Sequence, residues 1–169
     1  GIVGLRREGR NFAISPLMIE EAGKRIDIKN FLWGGTNFDI SVYGEKKGLG
    51  RLLIDGKVIP SQIIPASFYD GKKHRMGVYS GLSKTPQLVS FGSGIYELED
   101  INYQEEKLIF FLRGFLKERA EVKIKRANKR VKEIKINGES IHFEEKEEIC
   151  NFEFKIKKEK SIVEITFYE

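Results

Sequence analysis

The chain has 169 residues, 40% of them hydrophobic and 33% charged, with a formal net charge of +5. That length suffices for one large domain or two small ones with a real core, and the composition excludes a disordered chain. No apolar run approaches the roughly 20 residues of a membrane span. No basic segment leads into an apolar one as in a signal peptide, so a cytoplasmic protein with no membrane partner is expected.

Period-two alternation dominates from end to end, with one face of each strand turned to a core and the other to water. In chain order it predicts strands over residues 11–14, 25–32, 37–43, 49–54, 75–79, 94–99, 107–112, 122–125, 134–136, 152–157 and 163–167. Asp55-Gly56, Asp70-Gly71 and Asn137-Gly138 supply the tight turns. A strand about every ten residues is the spacing of sandwiches and barrels. The expected fold is therefore all-β, an antiparallel β-sandwich of jelly-roll-like character. It is either one sandwich or two tandem units, residues 1–80 and 81–169, divided at the linker-like Ser80-Gly81-Leu82-Ser83-Lys84-Thr85-Pro86.

One segment has a rival reading. Leu116, Ala120, Ile124, Ala127, Val131 and Ile134 recur at spacings of three and four, as in a basic amphipathic helix. Val122 would then fall on the polar face, and strands are preferred. A gapless echo supports that choice. When residues 38–59 are laid on residues 120–141, Ile40 and Val42 fall on Val122 and Ile124, and Asp55-Gly56 falls on Asn137-Gly138. Two similar β-meanders would produce this pattern.

Chemistry is sparse. His74 and His142 are the only histidines, neither has a partner at ligand spacing, and both are expected at the surface. Gly48-Leu49-Gly50 and Gly92-Ser93-Gly94 open no helix, and no serine sits in a nucleophile elbow. No catalytic residue, metal or cofactor is expected. Cys150, the single cysteine, excludes an internal disulfide, fits a reducing compartment and reads as a half-buried core residue.

Trp33, followed by Gly34-Gly35, is either a stacking platform for a sugar or base, or a buried anchor whose indole N–H finds a carbonyl. Tyr43 and Tyr69 are further candidate carbohydrate platforms, as are Tyr79 and Tyr96. The basic stretch with Lys123, Lys125, Arg126, Lys129 and Arg130 is the candidate contact for phosphates or an anionic surface. Glu144, Glu145, Glu147 and Glu148 follow it, and a solvated strand face with compensating charges is the expected reading, so a nucleic-acid partner is not favoured.

Several phrases in residues 1–80 resemble the C-terminal β-sandwich module of glycoside phosphorylases and hydrolases built on an (α/α)6 barrel, of the cellobiose phosphorylase and cyclic β-glucan synthase type. They are Gly1-Ile2-Val3-Gly4-Leu5-Arg6 running on to Pro16, Trp33-Gly34-Gly35-Thr36-Asn37-Phe38, and the Asp55-Gly56-Lys57 hairpin with its following Ile-Pro. The last is Asp70-Gly71-Lys72-Lys73-His74. Trp33 stands near where such modules often carry Arg, and residues 81–169 have no counterpart in the short family module. The resemblance implies a non-catalytic accessory domain whose partner is the catalytic barrel of a parent chain, with the catalytic carboxylates on that barrel. Gly1 in place of an initiator Met is then either a tag scar or the mark of a cut from something longer. The alternatives are a free-standing carbohydrate-binding module with an oligosaccharide partner, or a basic domain for nucleic acid or an anionic surface.

Overall fold

A computed structural model describes residues 4–16, 25–44, 46–92, 94 and 96–169. Strands build it, with a single 3-10 turn at Ala66–Phe68 and no α-helix among the described residues. In chain order they are β1 (Leu5–Glu8), β2 (Asn11–Ile14), β3 (Arg25–Trp33), β4 (Thr36–Tyr43), β5 (Leu49–Ile54), β6 (Lys57–Val58), β7 (Lys73–Ser80) and β8 (Gln87–Ser90). Then follow β9 (Glu97–Gln104), β10 (Lys107–Arg113), β11 (Arg119–Lys125), β12 (Val131–Ile136), β13 (Glu139–Ser140), β14 (Glu144–Lys146), β15 (Ile149–Lys155) and β16 (Lys160–Phe167). The phrase at Gly1-Ile2-Val3 lies outside the described residues.

The C-terminal half is an antiparallel β-sandwich. One sheet has the order β14-β15-β11-β8 and the other β13-β12-β16-β10-β9. Alternation decides which residues point inward: β11 and β16 each bury every second side chain. Val122, Ile124, Phe152 and Phe154 supply the core from one sheet, and Leu108, Phe110, Leu112, Ile134, Val163 and Ile165 from the other. Each such side chain contributes about 1.5–3 kcal/mol of burial free energy before the entropy of ordering is set against it. The helical alternative for residues 116–134 fails on the same side chains. Leu116 is 60% exposed, and Ala127 sits in a turn at φ +52° between β11 and β12.

The N-terminal half holds a five-stranded sheet, β3-β4-β7-β5-β6. It departs from the antiparallel expectation at one pairing, because β4 and β7 run parallel. β7 inserts between β4 and β5, so the chain must travel from Ile59 to Lys72 before it can re-enter alongside β4. This sheet takes no strand from beyond Ser80, and the sandwich sheets take none from before Gln87. The echo between residues 38–59 and 120–141 is thus local. Asp55-Gly56 and Asn137-Gly138 adopt nearly the same left-handed pair (φ +49° and +82°, +51° and +85°), as the favoured hairpin turn requires. Neither copy is a meander, however. β4 and β5 are separated by β7, and β11 and β12 lie in opposite sheets.

The hairpin β1–β2 joins the halves, together with residues 60–62, whose Gln62 N–H and Pro60 carbonyl bond Leu88 of β8. All four residues of β2 are buried. Phe12 packs on Phe31, Trp33, Phe38 and Tyr69 of the N-terminal half. Its neighbour Asn11 reaches the sandwich: Nδ2 donates to the carbonyls of Ile64 (2.8 Å) and Leu98 (2.9 Å), and Oδ1 accepts from the Leu98 N–H (2.9 Å). Arg6 donates to the Val89 carbonyl and the Arg10 N–H to the Tyr96 carbonyl.

Candidate functional site

His74 is not a surface side chain. It is 6% exposed, the second residue of β7, with Nδ1 2.5 Å from Asp55 and Nε2 2.9 Å from Asp70. Two turns deliver the carboxylates. Asp55 opens the β5–β6 hairpin and also accepts from the Arg75 N–H, while Asp70 closes an Asx turn on the Lys72 N–H. Burial pulls the imidazole pKa down, but the hydrogen bonds and charges of Asp55 and Asp70 outweigh it and leave the pKa raised. Burial pushes Asp55 up, and the Arg75 N–H and His74 more than reverse that. Asp70 is held low by the Lys72 N–H and then by His74. With both ring nitrogens engaged by carboxylates, no lone pair is left for general-base work. The nitrogens also lie on opposite edges of the ring, so the three groups cannot converge on one cation. His142 is exposed, as expected.

Beside this clamp, the outer face of the five-stranded sheet carries three ranks of side chains in register. The first is Arg25, Tyr43, Tyr79 and Arg51, one residue from each of β3, β4, β7 and β5. The tyrosine rings stack at 4.9 Å and 16°, the Arg25 guanidinium lies 5.2 Å from the Tyr43 centroid, and that of Arg51 lies 4.9 Å from the Tyr79 centroid. The middle rank is low: Asp27, Ser41, Gly77 and Leu53. The third places Asp39 beside Arg75. The result is a groove of about 520 Å³.

Its charges are partly committed. The Ser41 hydroxyl donates to Asp27 (2.6 Å), which also pairs with Arg25 (3.0 Å), and the two together hold that carboxyl low. Asp39 accepts from the Asn30 N–H and pairs with Lys73 (3.0 Å) and Lys29 (3.7 Å), and it too is held low. Arg75 and Arg51 make no ion pair among the described residues.

Of the aromatic candidates, Tyr43 and Tyr79 line this groove, the Tyr43 ring lying between Tyr79 and Arg25. Trp33 is half-buried, stacked on Phe31, with its indole N–H donating to the Arg10 carbonyl at 3.3 Å. Tyr69 packs on Phe12 and Phe38, and its hydroxyl donates to the Ile64 carbonyl (2.7 Å) while accepting from the Phe12 N–H. Burial raises its pKa. These two occupy the anchor geometry, and the structure does not bring them together with Tyr43.

The basic stretch divides. Arg126 pairs with Glu145 (3.3 Å) and donates to the carbonyls of Lys129 and Glu147, and Lys129 pairs with Glu106 (2.6 Å). Arg130 lies over the Tyr168 ring. Lys123 faces Asn151 and, one strand further, Glu144. Lys125 ends β11 and is half-buried.

Sequence reasoning missed the clamp and the partners of Tyr43. The spacing Asp-Gly-x-x-His and the mid-strand glycine were available signals. The parallel pairing that places Tyr43 beside Tyr79 was not.

Comparison with family models, curated proteins and solved structures finds no match. The site stands on its own geometry. Among the described residues no helix is long and apolar enough to cross a membrane.

Proposed function

We propose that this chain is a non-catalytic accessory β-sandwich module of a carbohydrate-active enzyme, one that packs beside an (α/α)6 barrel carrying the catalytic carboxylates of a glycoside phosphorylase or hydrolase. One observation carries the reading. Two phrases of the resemblance, Asp55-Gly56-Lys57 and Asp70-Gly71-Lys72-Lys73-His74, are separate segments of the chain that meet in the fold as the Asp55–His74–Asp70 clamp. Residues used together in that way act as scaffold, fixing the hairpin against the last strand of the sheet. The module's work is then mechanical: it stabilises the barrel and completes an interface with it.

Activity assays test this. The isolated chain should unfold cooperatively and neither hydrolyse nor phosphorolyse any of a panel of α- and β-linked disaccharides. A parent chain containing the barrel should be active and should lose thermal stability when this module is deleted. Turnover by the isolated chain would overturn the reading.

A further inference from the structure

We propose that the groove on the outer face of the five-stranded sheet binds an acidic oligosaccharide, a short uronic acid oligomer. The proposal takes the ligand's class, a glycan, from the accessory-module reading, and its charge and mode of binding from the groove itself.

The ranks are two residues apart along the strands, so the outer ones stand about 13 Å apart at the backbone. Between them Ser41 and Gly77 leave a low floor. A Cβ on Gly77 would lie 3.3 Å from the edge of the Tyr79 ring and 3.8 Å from its hydroxyl, so that hydroxyl overhangs the floor. The Tyr43 and Tyr79 hydroxyls have no hydrogen-bond partner among the described residues, and neither has the Arg75 guanidinium.

Two features choose the ligand. First, the faces of the paired rings are occupied: Tyr43 and Tyr79 cover each other, and Arg25 and Arg51 approach the rings from either side. A base or a neutral sugar that binds by stacking therefore finds no open π-face, whereas the hydroxyls and guanidinium groups still offer hydrogen bonds. Second, what is offered is mostly donors, and cations exceed acids. Asp27 balances Arg25, Asp39 is shared by Lys29 and Lys73, and Asp55 is committed to His74. That leaves Arg75 at one wall, while Arg51 stands behind the Tyr79 ring outside the groove lining. A ligand rich in acceptors and bearing carboxylates complements this lining, with Arg75 able to hold a carboxylate through two parallel N–H bonds and the Tyr43 and Tyr79 hydroxyls able to donate from the opposite wall. The same row of arginine and tyrosine also strengthens the sheet, but that role makes no use of Arg75.

Titration calorimetry on the whole chain tests the assignment, with tetragalacturonate and a hyaluronan tetrasaccharide as acidic probes, cellotetraose as the neutral one and inorganic phosphate as the bare anion. At least one acidic probe should bind, and more weakly as salt is added. Arg75→Ala should weaken that binding about tenfold or more. Tyr79→Phe, which keeps the ring stack and removes only the hydroxyl, should weaken it severalfold. Both positions leave the core intact, and circular dichroism of each variant checks this. The proposal is overturned if neither acidic probe binds or if Arg75→Ala leaves affinity unchanged. It is equally overturned if cellotetraose or phosphate binds as tightly as the acidic oligomer. A parent chain with no barrel would sink the accessory-module reading yet leave this result standing, so the two failures are distinguishable.

Discussion

Replacing Asn11 with leucine should cost about 3–4 kcal/mol, because Asn11 bonds to both halves through one fully buried amide. The working is local. Asn11→Leu removes three hydrogen bonds at 2.8–2.9 Å. The Ile64 carbonyl still accepts from the Tyr69 hydroxyl, so its loss is mild. Leu98, on the edge strand β9, loses the group that served both its N–H and its carbonyl. An orphaned buried N–H costs about 1–3 kcal/mol, and each neutral bond lost about 1 kcal/mol. For a chain of this size the sum lowers Tm by about 10 °C. Urea and thermal unfolding followed by circular dichroism measure it directly. Asn11→Asp adds a pH signature. Its ionised carboxylate would face two carbonyl oxygens, which raises the folded-state pKa above the unfolded value near 3.9. The folded form then binds more protons, so Asn11→Asp should be least harmful near pH 4 and progressively worse towards pH 7. A loss below about 1 kcal/mol for Asn11→Leu, or no pH dependence for Asn11→Asp, would refute the view that this amide latches the halves.

The clamp predicts a second pH dependence. His74 has a raised pKa, so its contribution is complete below its unfolded value near 6.5 and fades as pH rises through the folded value. Asp55 and Asp70 have lowered values, so theirs is present above about 3.8 and fades as pH falls through the folded ones. The difference in urea midpoint between the native chain and His74→Gln should therefore be largest between about pH 4 and 6.5 and shrink by pH 9; a flat difference would contradict the ion-pair account. Cys150 is fully buried, and burial, with the nearby Glu145 charge, pushes its thiol up to about 12. Its labelling by a thiol reagent at pH 8 should follow global unfolding, and prompt labelling of the folded chain would show the site to be open. Gly9 and Gly56 both have positive φ, but an alanine Cβ at Gly9 would overlap the Tyr96 carbonyl oxygen, whereas at Gly56 it would meet nothing. Gly56→Ala should cost about 1 kcal/mol and Gly9→Ala clearly more, and equal costs would argue against the close seat of the first hairpin on the sandwich.

The strand pattern was readable wherever one face is buried and the other wet. The runs Val122-Lys123-Ile124-Lys125 and Val163 to Phe167 lie wholly in strands, and the run 152–157 does so as far as Lys155, since period-two burial writes itself into the residue types. Short strands whose burial does not alternate escaped: β8 begins immediately after the linker-like Ser80–Pro86 stretch, and β14 is exposed throughout. The 94–99 expectation was displaced to Glu97–Gln104, because β9 continues past Asp100 to pair with β10. Long-range pairing was the other gap. Nothing local in Tyr43, Tyr79, Arg25 and Arg51 reveals that four strands bring them into one row, just as nothing near His74 reveals that Asp55 will sit on its Nδ1. Local turn chemistry placed Asp55-Gly56 and Asp70-Gly71 correctly as turns, and the parallel insertion of β7 then determined what those turns meet.

The central claim, that this is the scaffold module of a carbohydrate-active enzyme, is tested most directly by the reading frame preceding Gly1 in the parent gene. The account predicts an (α/α)6 barrel with a pair of catalytic carboxylates encoded upstream in the same frame. A complete gene that starts at this point, or an upstream domain of another fold, would contradict it.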